Sequence, residues 1–486
     1  MSANRKIRIP VLLRVQGYLL LIEGLFMMTV MPVTYQHHGI NAFSIPFSAL
    51  ITLLTGAILC FSTRHKKGQR LNPHESDITI SLSWVMLSVF GALPFLLSKS
   101  VPNFTDAFFE ALSGFTTTGA TVLTNIEAVP KDVLLWRSMT QWLGGLAIIV
   151  FAVALLPFLS VGGMQLFMAE MNGINYDKLH PRTMHTAKRL WGLYFLFTLL
   201  EVFLLHLGDM DWFEAVCHSM TTISSGGFST RTSSLAGFSN YSQIVVLFFM
   251  ILSGCNFTLL LIAMVRNPMA LLRNEEFKHF LILLLSVSSL LAIALIMTTT
   301  TTVGNALRSS FFNVASMITT TGFFVSDYMM WPSGLWTILF LLMFIGACSG
   351  STSGGIKIIR HLIFVKNAFL EMKRIVHPNA VIPVKINKKS VSKSVIFKTM
   401  TFIFVYFLIF VGGAIILLSL GVDFNTSIGA SVATLSNLGT GIGHVGPYGT
   451  YAFLPQTAKW VLALFMLLGR VELFTLITLF SKNFWK

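Results

Sequence analysis

The sequence predicts an all-α polytopic membrane protein with four pseudo-symmetric helix–pore loop–helix repeats around one pore, plus an N-terminal helix pair. Three observations carry that prediction: a composition too apolar for water, ten bilayer-length hydrophobic runs, and four short blocks that align with one another without gaps. Of the 486 residues, 54% are hydrophobic and 11% charged, and the mean hydropathy is +0.74. Soluble domains carry about a quarter charged residues, so a soluble enzyme, a disordered chain and a secreted disulfide scaffold are all excluded. Cys60, Cys217, Cys255 and Cys348 lie far apart, without metal-ligand spacing.

A bilayer span needs about 20 apolar residues. Such runs fall near 15–34, 43–62, 78–98, 137–159, 190–208, 242–265, 279–298, 335–359, 399–420 and 459–481. With Arg5, Lys6, Arg8 and Arg14 placed in the cytoplasm, inside segments hold 27 of the 34 Lys and Arg, and outside segments hold six. The positive-inside rule then puts both termini in the cytoplasm. The net charge of +15 is therefore mostly topological, not a nucleic-acid footprint. Its second meaning is attraction to anionic membrane lipid or to an acidic cytoplasmic partner. The first span has a basic flank but no small-residue cleavage site, and reads as a retained helix. The units are a helix pair over 1–70 and repeats over 71–160, 161–268, 269–378 and 379–486.

The repeat is the informative feature. Asp106–Ala120, Glu214–Phe228, Ser309–Phe323 and Thr426–Thr440 each begin with a helical run of about nine residues. Each then ends in a short segment: FTTTGA, ISSGGF, ITTTGF and LSNLGT. Gly119, Gly227, Gly322 and Gly439 share one column; Thr118, Gly226, Thr321 and Leu438 precede them, and Thr117, Ser225, Thr320 and Asn437 come before those. A span lies on either side of every block. One Thr/Gly segment would read as loop punctuation; four in register, each behind a half-helix on the same membrane side, read as a filter.

The chemistry follows from the residue types. A short helix entering from outside turns its partly negative C-terminal end towards the membrane centre, which favours a cation there. The extended segment after it leaves carbonyls unpaired, which is tolerable at that depth only where they line a cavity or are buried in protein. Glycine allows backbone angles that turn successive carbonyls to one axis, and rings of carbonyls replace a cation's hydration shell. No carboxylate occupies these columns, which favours a monovalent cation over Ca2+ or Mg2+.

These repeats, with GGFSTR (226–231), SGCN (253–256), GSTSGGIK (350–357), HPNAV (377–381) and GRVELFTL (469–476), resemble the Trk/Ktr/HKT superfamily of potassium transporters. Within it the chain is most similar to the bacterial Trk transmembrane subunits, and the likeness covers essentially its whole length. The resemblance implies K+ as the transported ion and a location in the bacterial inner membrane. It also implies a homodimer with one pore per subunit, and a cytoplasmic TrkA-type regulator with nucleotide-binding domains. In related plant transporters Ser at the first filter position goes with sodium transport; here all four positions are Gly, which implies potassium preference.

Two features belong to a gate. The run LWTILFLLMFIG breaks into small and polar residues over 346–355, including Gly346, Gly350, Gly354 and Gly355, with Lys357 directly after. Each Gly costs a helix about 1 kcal/mol against Ala, and the preceding helix is too short to have crossed, so an intramembrane loop below the filter is expected rather than a cytoplasmic one. This matches the family's gating loop, although Ser353 and Ala347 stand where relatives commonly have glycine. Arg470 lies near the middle of the last span, where a charge costs at least about 2.5–3.5 kcal/mol. It is expected to project below the filter, oppose cation passage and meet the 346–355 loop. The alternative is a structural Arg bonded to neighbouring carbonyls. Glu472 falls on roughly the opposite helix face and should not pair with it.

Smaller expectations complete the reading. Glu110, His218 and Asn313 share a pore-helix column with Ala430 and should anchor the filter from behind. Glu23 and Glu201 lie within apolar spans and suit interhelical hydrogen bonding or protonation. Outer acids such as Asp106, Glu214, Asp209 and Asp423 either concentrate cations at the mouth or form solvated surface. No phosphate-cradling loop, nucleophile elbow or zinc motif is present, so the chain is not an enzyme and needs no organic cofactor. A nucleotide effect would come through a partner on the basic segments 357–398 and 160–189. The reading is regulated K+ uptake driven by membrane potential. The alternatives are a K+/H+ or K+/Na+ symporter, disfavoured because no inverted repeat is found, and a non-transporting scaffold.

Overall fold

The computed structural model describes residues 7–36, 43–64, 72–154, 182–380, 382–471 and 473–485. Glu472, most of the 160–189 segment and the boundaries drawn at 70/71 and 160/161 lie outside the described residues. Apart from one short hairpin, the described residues form helices and their connections. The N-terminal pair is Ile9–Gln36 and Ser44–Ser62, packed face to face. Close contact is possible because Gly17 and Gly56 meet across it: a Cβ on either would lie within about 3 Å of the other's carbonyl oxygen.

Six described helices are long and apolar enough to cross a bilayer, and two further pairs qualify if each bent pair counts as one span. Their outer faces carry large exposed apolar side chains, such as Phe203, Ile282 and Phe404. That pattern suits a lipid-facing surface and not a water-facing one. Lys131–Ala154 supplies the fourth predicted run up to the limit of the described residues.

Between the long helices sit four short ones: Phe104–Phe115, Trp212–Ile223, Val303–Ile318 and Phe424–Leu435. At 1.5 Å per residue a 12-residue helix is about 18 Å long, well short of the roughly 30 Å hydrocarbon layer. Each starts at a side-chain cap, from Asn103, Asp211, Thr302 and Asp423 respectively. Satisfying the first free N–H groups in this way fixes where each short helix begins. The third is longer than its aligned block, because Thr302 caps it two turns earlier.

Three predicted spans are broken, the last of them where Gln456–Val471 and Leu473–Leu479 meet at 119°. Asn240–Ser253 and Phe257–Val265 meet at 99° across Gly254, Cys255 and Asn256. In the third repeat, Ser333–Leu342 is only ten residues long and is followed by irregular chain until Ile358–Val376 begins. The chain therefore leaves helix at Met343, three residues before the predicted break at Gly346.

Candidate functional site: a four-repeat filter and the loop beneath it

Each short helix ends the same way. The N–H groups of Thr118, Gly226, Thr321 and Leu438 bond back to the carbonyls of Ser113, Thr221, Ser316 and Ala433 at 2.8, 2.8, 2.9 and 2.8 Å. This back-bond requires the preceding residue to turn left-handed. Thr117, Ser225, Thr320 and Asn437 do so, with φ of 51, 55, 52 and 54°. The sequence argument assigned the unusual backbone to glycine alone. The structure shows two positive-φ positions per repeat, and the first is held by a residue with a Cβ, an uncommon and strained choice for Thr.

The glycines fill the second position, with φ of 81, 76, 81 and 81° at Gly119, Gly227, Gly322 and Gly439. What they approach decides why nothing larger fits. A Cβ at Gly119 would lie 2.2 Å from the Gly226 carbonyl oxygen, and one at Gly227 would lie 1.8 Å from that of Thr321. At Gly322 the oxygen is that of Leu438, at 2.2 Å, and at Gly439 it is that of Thr118, at 2.3 Å. Every glycine thus leans on the preceding-column carbonyl of the next repeat, and the fourth closes on the first.

Side chains behind the ring hold it. Gln141 donates from Nε2 to the Gly226 carbonyl at 2.7 Å and accepts the Phe228 N–H at 3.0 Å. Thr440 donates to the Gly322 carbonyl at 2.6 Å, and Tyr451 donates to that of Gly439 at 2.7 Å. Asn437 donates to the Thr118 hydroxyl at 3.0 Å and to the Met466 carbonyl at 2.9 Å. Glu110 accepts from Thr121, the Val122 N–H and Arg137, the last at 2.7 Å. Arg137 is 2% exposed and Glu110 is fully buried, and Arg137 also donates to the Ser229 carbonyl at 3.0 Å. His218 reaches the Ser229 hydroxyl at 3.0 Å, and Asn313 donates to Ser326 at 3.2 Å. Three residues of the expected column are thus tied to the chain just after the glycine ring.

Some of the outer acids have partners, while Asp209, Asp211 and Asp423 are also exposed. Asp106 pairs with Lys459 at 2.6 Å, Glu214 with Arg231 at 2.8 Å, and Asp209 accepts from Ser239 and Ser242. Glu127 ties the first repeat's outer loop to Thr232 of the second, at 2.8 and 2.6 Å. Burial opposes ionisation of Glu127, but the Thr232 hydrogen bonds prevail and hold its carboxyl below the ordinary glutamate value. Glu23 finds no hydrogen-bond partner for either carboxyl oxygen among the described residues, lying instead near Gly91 and Phe115.

Next to the glycine ring lies the irregular chain of the third repeat. Thr352 is 2.8 Å from the Ser225 hydroxyl and bonds the Ile223 carbonyl at 3.1 Å. The Gly354 N–H donates to the Thr320 hydroxyl at 2.6 Å, and a Cβ on Gly354 would lie 2.2 Å from the Ser436 carbonyl oxygen. The loop therefore touches three repeats at the inner edge of their filter segments. Its ends are pinned by a one-residue parallel bridge between Ile345 and Ile356, across which Gly346 and Gly354 pack backbone to backbone. Gly350 and Gly355 take φ of 71 and 64°. Lys357 bonds the Ser353 carbonyl and hydroxyl. Arg470, 6% exposed, donates to the Thr352 carbonyl at 3.0 Å and to that of Gly144 at 3.1 Å. It meets the loop as expected, and does so through the carbonyl bonding that was the alternative.

Gln141, Arg137 and Tyr451 were not singled out from sequence. The first two carry a usable signal: two polar residues four apart on one face of an otherwise apolar helix. Tyr451 carries none, since its value comes from a fold-level approach to Gly439.

A polytopic helical protein whose four short helices converge on one backbone ring has the architecture of a membrane ion pathway, not of an enzyme. Comparison with known proteins agrees. Residues 43–486 match the family model TrkH, described as a cation transport protein. The TrkH Trk system potassium uptake protein of Salmonella typhimurium is 39% identical over 458 residues, 93% of this chain and 94% of that one. The TrkG counterpart of Escherichia coli K12 is 36% identical over 478 residues, 97% of each. The crystal structure of the potassium transporter TrkH from Vibrio parahaemolyticus superposes with a TM-score of 0.90 at 33% identity, covering 99% of this chain and all of that one. The chain belongs to the TrkH family of cation transport proteins.

Proposed function

We propose that this protein carries K+ into the cell through the ring formed by Gly119, Gly227, Gly322 and Gly439 and the residues before them. The observation that carries the proposal is the closed glycine-to-carbonyl contact around all four repeats. Backbone oxygens of Thr117–Gly119, Ser225–Gly227, Thr320–Gly322 and Asn437–Gly439 are the ligands, replacing the ion's water. The named relatives are potassium uptake proteins of the Trk system, which supports K+ as the ion. The membrane potential drives entry by about 2.3 kcal/mol per charge per 100 mV.

The 346–355 loop, with Gly346, Gly350, Gly354, Gly355 and Lys357, together with Arg470, forms the gate. Contact of the loop with Ser225 and Thr320 supports that role, as does the buried positive charge directly beneath it. A cytoplasmic TrkA-type regulator with nucleotide-binding domains moves this gate, acting on the basic segment 357–398. The protein works as a homodimer in the bacterial inner membrane with both termini cytoplasmic, an orientation supported by the Lys and Arg bias. One continuous filter favours conduction over obligatory K+/H+ or K+/Na+ symport.

The test is ion flux in proteoliposomes at fixed voltage. K+-selective flux that loses discrimination on Gly119→Ser supports the filter; equal K+ and Na+ flux in the unaltered protein overturns it. A reversal potential that moves with the H+ or Na+ gradient would establish symport.

A further inference from the structure

The start of the helix Glu275–Thr298 carries two adjacent carboxylates that do different things. Glu276 is 3% exposed, and its Oε1 accepts both the Ser349 N–H and the Ser349 hydroxyl at 2.7 Å. Ser349 lies in the middle of the 346–355 loop, 73 residues away in sequence. One buried carboxyl oxygen thus takes up both donors of Ser349, a two-bond hold on the loop from a helix of the same repeat.

Glu275 faces the other way. Its Oε2 accepts from Lys366 Nζ at 2.6 Å, and Lys366 also donates to the Lys385 carbonyl at 2.9 Å. Its N–H donates to Asn387 Oδ1 at 2.8 Å. Asn387 and Lys388 form the tip of a hairpin that pairs Lys385 with Ser390 and Ile386 with Lys389. Both tip residues have positive φ, 48 and 65°, the geometry of the tightest hairpin turn and one that Asn tolerates better than most. The hairpin does not stand alone. Ile386 packs with Ile359, Leu362, Ile363 and Val395 in a small apolar core separate from the two large ones. That core fastens the hairpin to the helix Ile358–Val376, which leaves the loop directly.

We propose that Glu276 is a positioning residue that latches the 346–355 loop through Ser349, and that the Asn387 hairpin tip sets the latch by fixing the helix start on which Glu276 stands. The hairpin module therefore grips the loop at two points. It holds the end through the Ile358–Val376 helix and the middle through Glu275–Glu276. Displacing the hairpin slides both carboxylates and releases Ser349, whereas pulling on the helix alone would leave the middle of the loop held. The proposal rests on the reading of this loop as a gate, but the latch itself is a matter of loop position and can be tested without flux.

Cys348, the neighbour of Ser349, is fully buried and reports loop position, while buried Cys217 in the second pore helix serves as an internal reference. The full-length protein in liposomes is treated with iodoacetamide, and alkylation at each cysteine is followed by peptide mass spectrometry. Glu276→Ala should speed labelling of Cys348 about tenfold, in line with loss of both hydrogen bonds to Ser349, and leave Cys217 unchanged. Asn387→Ala should move Cys348 the same way by about threefold, and Lys388→Ala, at the exposed side of the same turn, should not move it. If Cys217 also becomes reactive in Glu276→Ala, that variant has loosened the whole fold, and Asn387→Ala alone decides. Cys348 labelling in Asn387→Ala equal to that of the unaltered protein, or raised equally by Lys388→Ala, overturns the latch. If labelling behaves as expected but K+ flux is the same in all variants, the latch stands and the gate reading fails.

Discussion

Arg470 holds the Thr352 carbonyl at 3.0 Å while Thr352 holds the Ser225 hydroxyl at 2.8 Å, so one loop residue joins a buried guanidinium to the filter segment of the second repeat. Nε of Arg470 has no hydrogen-bond partner among the described residues. In the proposed gate, a guanidinium so placed acts through its charge and through its bond to the loop. Arg470→Ala should raise K+ flux in the absence of any regulator by roughly ten- to a hundredfold, matching the 1.5–3 kcal/mol of a charge-assisted hydrogen bond. Single-channel recording checks this, and unchanged open probability would remove Arg470 from the gate.

The hydroxyl of Ser353 is fully used. It accepts from the Ala347 N–H at 3.3 Å, lies 2.7 Å from the Ser351 hydroxyl and meets Lys357 Nζ at 2.9 Å. These bonds stiffen the loop. Ser353→Gly should increase basal flux about five- to tenfold, from losing about 1 kcal/mol of net hydrogen bonding and gaining backbone freedom. Lower flux than in the unaltered protein would contradict this.

The glycine ring predicts equal sensitivity at chemically different repeats. Alanine at Gly119, Gly227, Gly322 or Gly439 drives a Cβ to within 2.3 Å or less of a carbonyl oxygen. Overpacking of this kind costs about 1–3 kcal/mol, so K+/Na+ discrimination should fall roughly tenfold in each case. Gly192→Ala, with nothing within 4 Å of the added atom, is the matched control. Bi-ionic reversal potentials measure the effect; discrimination retained in any one ring variant would break the equivalence of the four repeats.

Two ion pairs near the filter should differ in weight. Glu110→Gln leaves Arg137 buried without its counter-charge, a change that costs about 3–5 kcal/mol. Glu214→Gln removes a pair whose Arg231 is 36% exposed, worth about 0–1 kcal/mol. Thermal unfolding in detergent should rank the two variants in that order, with reversal of the order as the refuting result.

Much of this arrangement was legible in the sequence because its causes are local. The end of a short helix, a back-bonded turn and a glycine at fixed spacing recur within 15 residues, so four copies align without gaps. The bend at Gly254 was not legible, although SGCN was visible as a motif. Its cause lies almost a hundred residues away: the Gly254 carbonyl accepts the Cys348 N–H at 3.0 Å, and the Phe257 N–H donates to Gly350 at 3.1 Å. The second repeat gives up two helical bonds because the third repeat's loop replaces them. Likewise, charge counting on the outer side suggested an acidic mouth, since a sequence does not show which acid meets Lys459 or Arg231. The left-handed Thr117, Ser225, Thr320 and Asn437 went unrecognised because propensity argues against Thr there, and only the helix-end bond overrides it.

The ring of glycines also has a direction. Each repeat presses on the next and is pressed by the one before, so the four segments overlap like the blades of an iris. No blade can retract without uncovering its neighbour, and the bore changes as a whole. A change in one repeat is therefore passed on to the others, so four unlike sequences form one closed ring.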